Sequence, residues 1–419
     1  AAIAEGSYVE AVISPADPAA QPVPRPDLRR MLVPIGPVAV FTPSNFPLAF
    51  GVAGTDTASA LAAGCPAIVK GHPSHPGTSE ACGRAVAAAV REVGAPPGVF
   101  SLLQGRTPAV ARALVEAPEI AAVAFTGSQA AGRALHDAAA ARPRPIPVYA
   151  EMGSLNPVFI GPVAQARRGE TIADGLAGSV TMGVGQFCTK PGLVFVPGER
   201  EGRAFAERLA ALVAARPLGA MLNAALRAGF DRAVERTLSV AGVERLGPAP
   251  SVSGDVPVAT VATTTARVFE RTPALREEHF GPFTLVVRCA DADEAVAIAR
   301  GLDGQLAAAI HAEPEDHAWA ERVAAVLADR VGRIVWNGYP TGVAVAWATH
   351  HGGPYPATTW PAHTSVGPLA LRRFLRPVAY QNVPDALLPP ALRDANPLGL
   401  QRLVDGRWTR EPMARPGTS

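Results

Sequence analysis

The sequence predicts an α/β fold in which a doubly wound parallel sheet precedes a second α/β unit. Two observations indicate the first sheet: apolar runs of strand length recur from Ile35 onward, and alanine-rich stretches with helix-capping residues separate them. A third indicates the second unit, because the strict alternation weakens past Pro157. Strands that are apolar on both faces and separated by helices form parallel sheets, which bind ligands at the carboxyl ends of their strands.

Four segments are expected along the chain. Residues 1–30 are proline-rich and are expected to form an extended arm. Residues 31–152 hold the first sheet, with strands predicted at 35–41, 66–69, 99–103, 120–125 and 146–150 and helices at 78–93, 107–116 and 128–141. Residues 153–348 hold the second unit, with strands predicted at 256–268, 283–289, 305–310 and 331–336 and helices at 204–215 and 316–330. Residues 349–419 form a C-terminal segment whose start is rich in Gly, Pro, His and Thr.

Composition excludes several classes of function. Hydrophobic residues make up 48% of the 419 residues and charged residues 18%, which is typical of a globular protein. A net charge of +2, without a block of like charges, argues against nucleic acid or an anionic membrane as a partner. The four cysteines lack metal-type spacing, so neither a metal centre nor a disulfide framework is expected. With no apolar run of membrane-spanning length and no signal-like start, we expect a cytoplasmic protein.

Cys188 stands in the most unusual stretch of the chain. It lies between Gly185 and Gly192 and three residues before Pro191, so the backbone bends where the thiol is presented. Glu151 precedes it by 37 positions. We interpret Cys188 as a nucleophile and Glu151 as its base. The alternative is a buried structural cysteine, which is the commoner role for a free cysteine.

Two features suggest an anion site at strand ends. The turn after the predicted strand 120–125 contains Gly127 and Ser128 and leads into a helix with Gly132, so free N–H groups and a positive dipole end are available for a pyrophosphate. Lys70 ends the second predicted strand and can reach a ribose hydroxyl or a phosphate. A plain helix start and a solvated lysine explain these residues equally well.

Two further motifs are ambiguous when taken alone. Asn45 follows the first strand, where an amide N–H can stabilise a developing oxyanion, although asparagine beside proline is more often turn chemistry. Glu278 and Phe280 offer a carboxylate for a sugar hydroxyl and a ring that packs on it. The alternative is an acidic surface loop.

Taken together, these motifs resemble the NAD(P)-dependent aldehyde dehydrogenase superfamily. The resemblance covers residues 31 to about 384, and it rests on motifs that occur in the family's order: Pro43-Ser44-Asn45-Phe46-Pro47, Lys70, Phe125-Thr126-Gly127-Ser128, Glu151-Met152-Gly153, Gly185-Gln186-Phe187-Cys188 and Glu278-His279-Phe280-Gly281-Pro282. Three later stretches are similar to the 2,5-dioxopentanoate (α-ketoglutarate semialdehyde) dehydrogenases: residues 337–342, 351–358 and 374–382.

The resemblance implies an aldehyde-dehydrogenase-like fold, with a Rossmann-type parallel-sheet cofactor domain, a second α/β catalytic domain and an oligomerisation arm. It implies that Cys188 attacks the aldehyde, that Asn45 and the Cys188 backbone N–H hold the oxyanion, and that Glu151 activates water to hydrolyse the thioester. We expect burial to raise the pKa of Glu151 toward neutrality. The residues that the resemblance assigns to the cofactor are Lys70, Gly127, Ser128, Gly132, Glu278 and Phe280.

The resemblance also bears on the cofactor and on the fate of the acyl group. NAD-preferring relatives often carry a glutamate three positions after the lysine, where this chain has Pro73. Without that carboxylate a 2′-phosphate is not repelled, and Arg106 and His72 are possible partners for it. We therefore expect NADP, with NAD as a possible second cofactor. Relatives that pass the acyl group to coenzyme A lack the base, so Glu151 favours hydrolysis.

The expected reaction is oxidation of 2,5-dioxopentanoate to 2-oxoglutarate. The distal carboxylate needs a cation, for which the candidates are Arg333, Arg372, Arg373 and Arg376. One alternative is a fatty or other aliphatic aldehyde as substrate. Another is a non-catalytic remnant, because the resemblance implies that the first helices and strand of the cofactor domain are missing. Lys190, two residues after the thiol, is expected either to favour the thiolate or to point to solvent.

The segment 374–382 resembles the family's oligomerisation strand, so a homodimer or homotetramer is expected. The arm before Arg29 is a candidate to pair with this strand across subunits. Residues from Asp394 onward carry no motif that we can interpret.

Overall fold

The computed structural model describes residues 6–247 and 254–413 and contains three β-sheets with flanking helices. The strands are β1 Val12–Ser14, β2 Leu28–Pro34, β3 Val38–Phe41, β4 Ala67–Lys70, β5 Phe100–Leu103, β6 Ala122–Thr126, β7 Val148–Glu151, β8 Val158–Ile160, β9 Leu193–Pro197, β10 Glu244–Leu246, β11 Thr260–Thr265, β12 Phe283–Cys289, β13 Ala308–His311, β14 Ile334–Trp336, β15 Leu375–Gln381, β16 Arg402–Val404 and β17 Arg407–Thr409. The helices are α1 Thr55–Ala62, α2 Pro76–Glu92, α3 Pro108–Glu116, α4 Gln129–Ala140, α5 Pro162–Thr181, α6 Glu199–Ala214, α7 Ala224–Leu238, α8 Ala266–Arg271, α9 Ala292–Arg300 and α10 His317–Ala328.

The first sheet is the parallel sheet that the alternating pattern predicts. Its order is β5-β4-β3-β6-β7, and every pair is parallel. All four residues of β3 are buried, because helices cover both faces. Phe41 pairs with Lys70 and Thr126 with Glu151. The carboxyl ends of the strands therefore bring the side chains expected to bind a ligand to one edge. Helix α1, which lies between β3 and β4, was not predicted.

The second sheet has seven strands in the order β10-β11-β12-β9-β8-β13-β14. Only the pairing of β10 with β11 is antiparallel. The strand predicted at 256–268 is wrong in its second part, because β11 ends at Thr265 and α8 begins at once. The Thr265 hydroxyl accepts a hydrogen bond from the N–H of Val268 at 3.4 Å and caps the helix. The predicted α/β fold is confirmed, while the boundaries at residues 30, 152 and 348 stay predictions.

The third sheet joins the arm to the C-terminal segment in the order β15-β2-β1-β16-β17. Strand β2 pairs antiparallel with β15 over seven residues, from Leu28–Gln381 to Pro34–Leu375. The strand that pairs with β15 begins only at Leu28, so the arm before Arg29 contributes little to this pairing, and its pairing across subunits stays a prediction. The residues after Asp394, which we could not interpret, supply β16 and β17. Among the described residues, no helix is both long and apolar enough to cross a membrane.

Candidate active site

The loop that carries Cys188 is shaped by glycine and held by an asparagine. After α5 the backbone takes positive φ values up to Gly185, at +67°. A Cβ on Gly185 would lie 2.3 Å from the carbonyl carbon of Gly281, so only glycine fits there. The amide Nδ2 of buried Asn156 donates to the carbonyls of Cys188 (2.9 Å) and Lys190 (3.0 Å). These contacts fix the thiol against the carboxyl edge of the first sheet.

Cys188 and Glu151 are brought together through His351. Nε2 of His351 lies 3.6 Å from Sγ of Cys188 and 3.0 Å from Oε1 of Glu151. The Nε2–H is therefore shared between the sulfur and the carboxylate, and Oε1 has no other partner among the described residues. The hydroxyl of Ser365 donates to the other oxygen, Oε2. We call Cys188, His351 and Glu151 the catalytic cluster.

The electrostatics of the cluster correct one expectation. Burial alone raises the pKa of Glu151, but the charge and hydrogen bond of His351, together with the hydrogen bond from Ser365, outweigh it, so the pKa of this carboxyl is lowered. Conversely, burial lowers the pKa of His351, but Glu151 raises it to about 10. Our expectation that burial brings Glu151 toward neutrality is therefore wrong, because a buried cation lies beside it. Glu151 is ionised at neutral pH and can accept a proton.

The pKa of the Cys188 thiol is raised overall, although His351 opposes the shift. Burial raises its pKa, and the carboxylates of Glu151 and Glu278 act in the same direction. The hydrogen bond and positive charge of His351 lower it. His351 is thus the nearest group that stabilises the thiolate. His351 lies in a motif noted in the sequence, but its contact with Cys188 was not predictable, since 163 positions separate the two residues.

Asn45 lies beside the thiol loop, as an oxyanion donor should. Its Nδ2 donates to the carbonyl of Gln186 at 2.9 Å, which uses one of its two N–H groups and leaves the second. The backbone N–H of Cys188 has no acceptor among the described residues. Both Asn45 and Cys188 line one cavity of about 280 Å³. Two N–H donors are therefore available next to the sulfur.

The same cavity contains most of the residues expected to bind the cofactor. Its lining includes Gly127, Ser128, Glu278 and Phe280. Ser128 is the N-cap of α4, and its hydroxyl oxygen accepts a hydrogen bond from the N–H of Ala131. The turn is therefore a helix start, and its N-terminus is also open to a phosphate. These features fit a dinucleotide with its nicotinamide near the thiol.

Lys70 and Gly132 lie outside the lining of this cavity. Lys70 is the last residue of β4, and burial lowers the pKa of its ammonium. Among the described residues it has no carboxylate partner, which suits a ribose or phosphate ligand. Gly132 lies inside α4, where a Cβ would come within 2.8 Å of Met152. The structure gives Gly132 a packing role, because a side chain there would push α4 away from Met152.

Lys190 points neither to the thiol nor to solvent, contrary to both expectations. It is buried, and its Nζ donates to the carbonyl of Phe283 at 2.9 Å. Burial lowers its pKa to about 8, and the charge of Glu278 opposes this shift. Burial likewise raises the pKa of Glu278 to about 7, against the charge of Lys190. Lys190 therefore acts as the internal counter-charge of Glu278.

The four candidate arginines differ in their partners. Arg373 pairs with Asp56 at 2.7 Å and Arg372 with Glu10 at 2.5 Å, while Arg376 is exposed on β15. Burial lowers the pKa of Arg333, and the charge of Cys188 raises it, so the two groups lie close enough to interact. Arg333 donates to the carbonyl of Pro340, and its buried Nε has no acceptor among the described residues. It also has no carboxylate partner there.

Known proteins share this sequence and fold. The model of the aldehyde dehydrogenase family matches residues 16–354. Alpha-ketoglutaric semialdehyde dehydrogenase 2 of Azospirillum brasilense is 48% identical over 406 residues, and alpha-ketoglutaric semialdehyde dehydrogenase of Acinetobacter baylyi is 40% identical over 413 residues; each match covers 97% of this chain and 77% of the relative. The structure of an NAD-dependent aldehyde dehydrogenase from Sinorhizobium meliloti superposes with a TM-score of 0.70 at 25% identity, covering 85% of this chain and 68% of that one. The chain therefore belongs to the aldehyde dehydrogenase family.

Proposed function

We propose that this aldehyde dehydrogenase oxidises 2,5-dioxopentanoate to 2-oxoglutarate with NADP. The observation that carries the proposal is the catalytic cluster, in which a thiol, an imidazolium and a carboxylate meet beside two free N–H donors. The names of the two relatives that are 48% and 40% identical support the substrate. The family uses NAD(P), so the acceptor of the hydride is a nicotinamide.

In the first half of the reaction Cys188 is the nucleophile. His351 donates to the sulfur and stabilises the thiolate, which attacks the aldehyde carbon. The second N–H of Asn45 and the backbone N–H of Cys188 donate to the oxygen that becomes negatively charged. A bound nicotinamide supplies the hydride acceptor. The acyl group then remains on Cys188 as a thioester.

In the second half Glu151 is the base. Apart from His351, Oε1 has no partner among the described residues, so a lone pair is left to accept a proton from water. The lowered pKa keeps the carboxylate ionised at neutral pH, and the His351 charge keeps it in place. Water attacks the thioester as its proton passes to Glu151, and the acid leaves while the Cys188 sulfur is restored. The presence of the base favours hydrolysis over transfer to coenzyme A.

Arg333 is our candidate for the distal carboxylate of the substrate. It is the candidate arginine that interacts electrostatically with Cys188, and no carboxylate among the described residues neutralises it. We expect Arg333→Gln to raise KM for 2,5-dioxopentanoate by roughly 10- to 100-fold, since a hydrogen bond to a charged group is worth about 1.5–3 kcal/mol. KM for pentanal, which has no carboxylate, should barely change.

The matched control for that experiment is Arg376→Gln, because Arg376 is exposed on β15. Equal losses for both aldehydes would remove Arg333 from substrate recognition. A wild-type enzyme that prefers pentanal would instead support the alternative of an aliphatic aldehyde dehydrogenase. No turnover of either aldehyde would support the non-catalytic remnant.

The preference for NADP rests on the missing carboxylate after Lys70. Pro73 cannot repel a 2′-phosphate, and exposed Arg106 carries a charge that can attract one. His72 lines the cavity, but burial lowers its pKa to about 4, so at neutral pH it offers a hydrogen bond and not a charge. The test is kcat/KM for the two cofactors, and a strong preference for NAD would contradict the proposal. A homo-oligomeric state and a cytoplasmic location stay predictions from the sequence.

A further inference from the structure

We propose that Cys188, His351 and Glu151 also form a reversible inhibitory site for a thiophilic divalent cation such as Zn²⁺, bound through Sγ, Nε2 and Oε1. The reaction itself needs no metal. The site belongs to the resting enzyme and does not depend on the identity of the aldehyde. Its occupation would remove the nucleophile and the base together.

Two of the three distances between the ligand atoms are close to those around a tetrahedral cation. A Zn–S bond of about 2.3 Å and a Zn–N bond of about 2.05 Å give a tetrahedral S···N edge of roughly 3.6 Å. Sγ and Nε2 are 3.6 Å apart. The third pair, Sγ and Oε1, lies within 4.8 Å, and the Glu151 side chain has to bring it to roughly 3.6 Å when the ion binds. Bonds of these lengths would place Nε2 of His351 and Oε1 of Glu151 about 3.3 Å apart. The observed distance is 3.0 Å, so a small side-chain movement of a few tenths of an ångström is enough.

A second observation supports a ligand. Oε1 belongs to a side chain only 4% exposed, lies 3.0 Å from Nε2 of His351, and has no other partner among the described residues. A cation that replaces the proton on Nε2 would take over this contact with Oε1. The hydroxyl of Ser365 already donates to Oε2 and so fixes the orientation of the carboxylate. Carboxylates that bind metals are commonly oriented by outer hydrogen-bond partners in the same way.

The site is accessible and chemically complete. Cys188 and Glu151 line the cavity of about 280 Å³, through which a hydrated cation can enter. Coordination replaces the protons on Sγ and on Nε2, and both protons pass to the buffer. Three protein ligands leave a fourth position for water, as in open zinc sites. The aldehyde cannot then reach the sulfur, so inhibition should be competitive with the aldehyde.

Cobalt titration of the reduced, metal-free protein tests the site without any assay of activity. We expect one Co²⁺ per chain, with a thiolate-to-cobalt charge-transfer band and the intense visible bands of a tetrahedral ion. Cys188→Ala should abolish the charge-transfer band. His351→Gln should weaken Co²⁺ binding by at least about tenfold, the lower range for loss of an outer-shell partner. His136→Asn, a half-exposed histidine on α4, is the control and should not change the titration.

A second measurement uses only the wild-type chain, so misfolded variants cannot obscure the result. Zn²⁺ should slow alkylation of Cys188 by iodoacetamide, read by peptide mass spectrometry, while the half-buried Cys82 is alkylated at an unchanged rate. A chelator should restore both alkylation and activity. The proposal is overturned if the charge-transfer band is absent in wild-type protein, if it persists in Cys188→Ala, or if Zn²⁺ leaves alkylation of Cys188 unchanged. These outcomes are independent of which aldehyde the enzyme oxidises.

Discussion

The substitution Glu151→Gln separates the two halves of the proposed reaction. Glutamine keeps the size of the side chain and an oxygen that can accept from Ser365, but it cannot take a proton from water. Positioned bases contribute about 10²–10⁴ in rate, or roughly 2.7–5.4 kcal/mol of barrier, so steady-state turnover should fall at least about 100-fold. The fold should survive, because His351 without its carboxylate loses its proton and does not remain a buried cation. The first half of the reaction then runs without the imidazolium, and the burst should be about tenfold slower.

Stopped-flow measurement of reduced cofactor provides the assay, with 2,5-dioxopentanoate and NADP in excess. We predict a burst of one reduced cofactor per chain, followed by a nearly flat steady state. Glu277→Gln is the matched control, because Glu277 is exposed and pairs only with Arg236 on the surface. Full steady-state activity in Glu151→Gln, or the absence of a burst in a folded protein, would refute the assignment.

Three further predictions test other parts of the account. Asn45→Ala should lower kcat by about 10²–10³ with little change in KM, which steady-state kinetics would measure; a change confined to KM would contradict an oxyanion role. Gly185→Ala should lower the free energy of unfolding by more than the ~1–2 kcal/mol that a residue with a side chain costs in the left-handed conformation. Gly229→Ala, in the open middle of α7, is the control and should not lower it. Equal denaturation midpoints for the two variants would contradict this prediction. Burial, reinforced by the charge of Lys190, lowers the pKa of His279 to about 3, so the unfolded chain binds a proton at a higher pH than the folded chain does. As the pH falls from 6.5 to 3, this residue should therefore lower the free energy of unfolding by about 1.4 kcal/mol per pH unit. His279→Gln should flatten the dependence of the free energy of unfolding on pH in this range.

The first sheet was predictable because its signal is local. Each strand from β3 to β6 is an apolar run followed by a helix, and this local alternation is typical of a parallel sheet. The end of β11 was not predictable in the same way. Thr265 is a good strand residue by composition, and only its capping bond to Val268 shows that a helix begins there.

The site was predictable in its residues more than in its electrostatics. Motif order placed Asn45, Glu151 and Cys188 together, but the lowered pKa of Glu151 depends on His351, which reaches the site from the distant C-terminal segment. The contact of Lys190 with Phe283 likewise depends on how a loop crosses the second sheet. Tertiary contacts of this kind leave no periodic trace in the sequence.

The central claim is that Cys188 carries the acyl group. Its most direct test is NADP reduction by the purified protein with 2,5-dioxopentanoate, compared between wild type and Cys188→Ala. The account predicts steady turnover by wild type and, in the variant, neither turnover nor a burst, with unchanged unfolding. Reduced cofactor formed by a folded Cys188→Ala protein at the wild-type rate would contradict it.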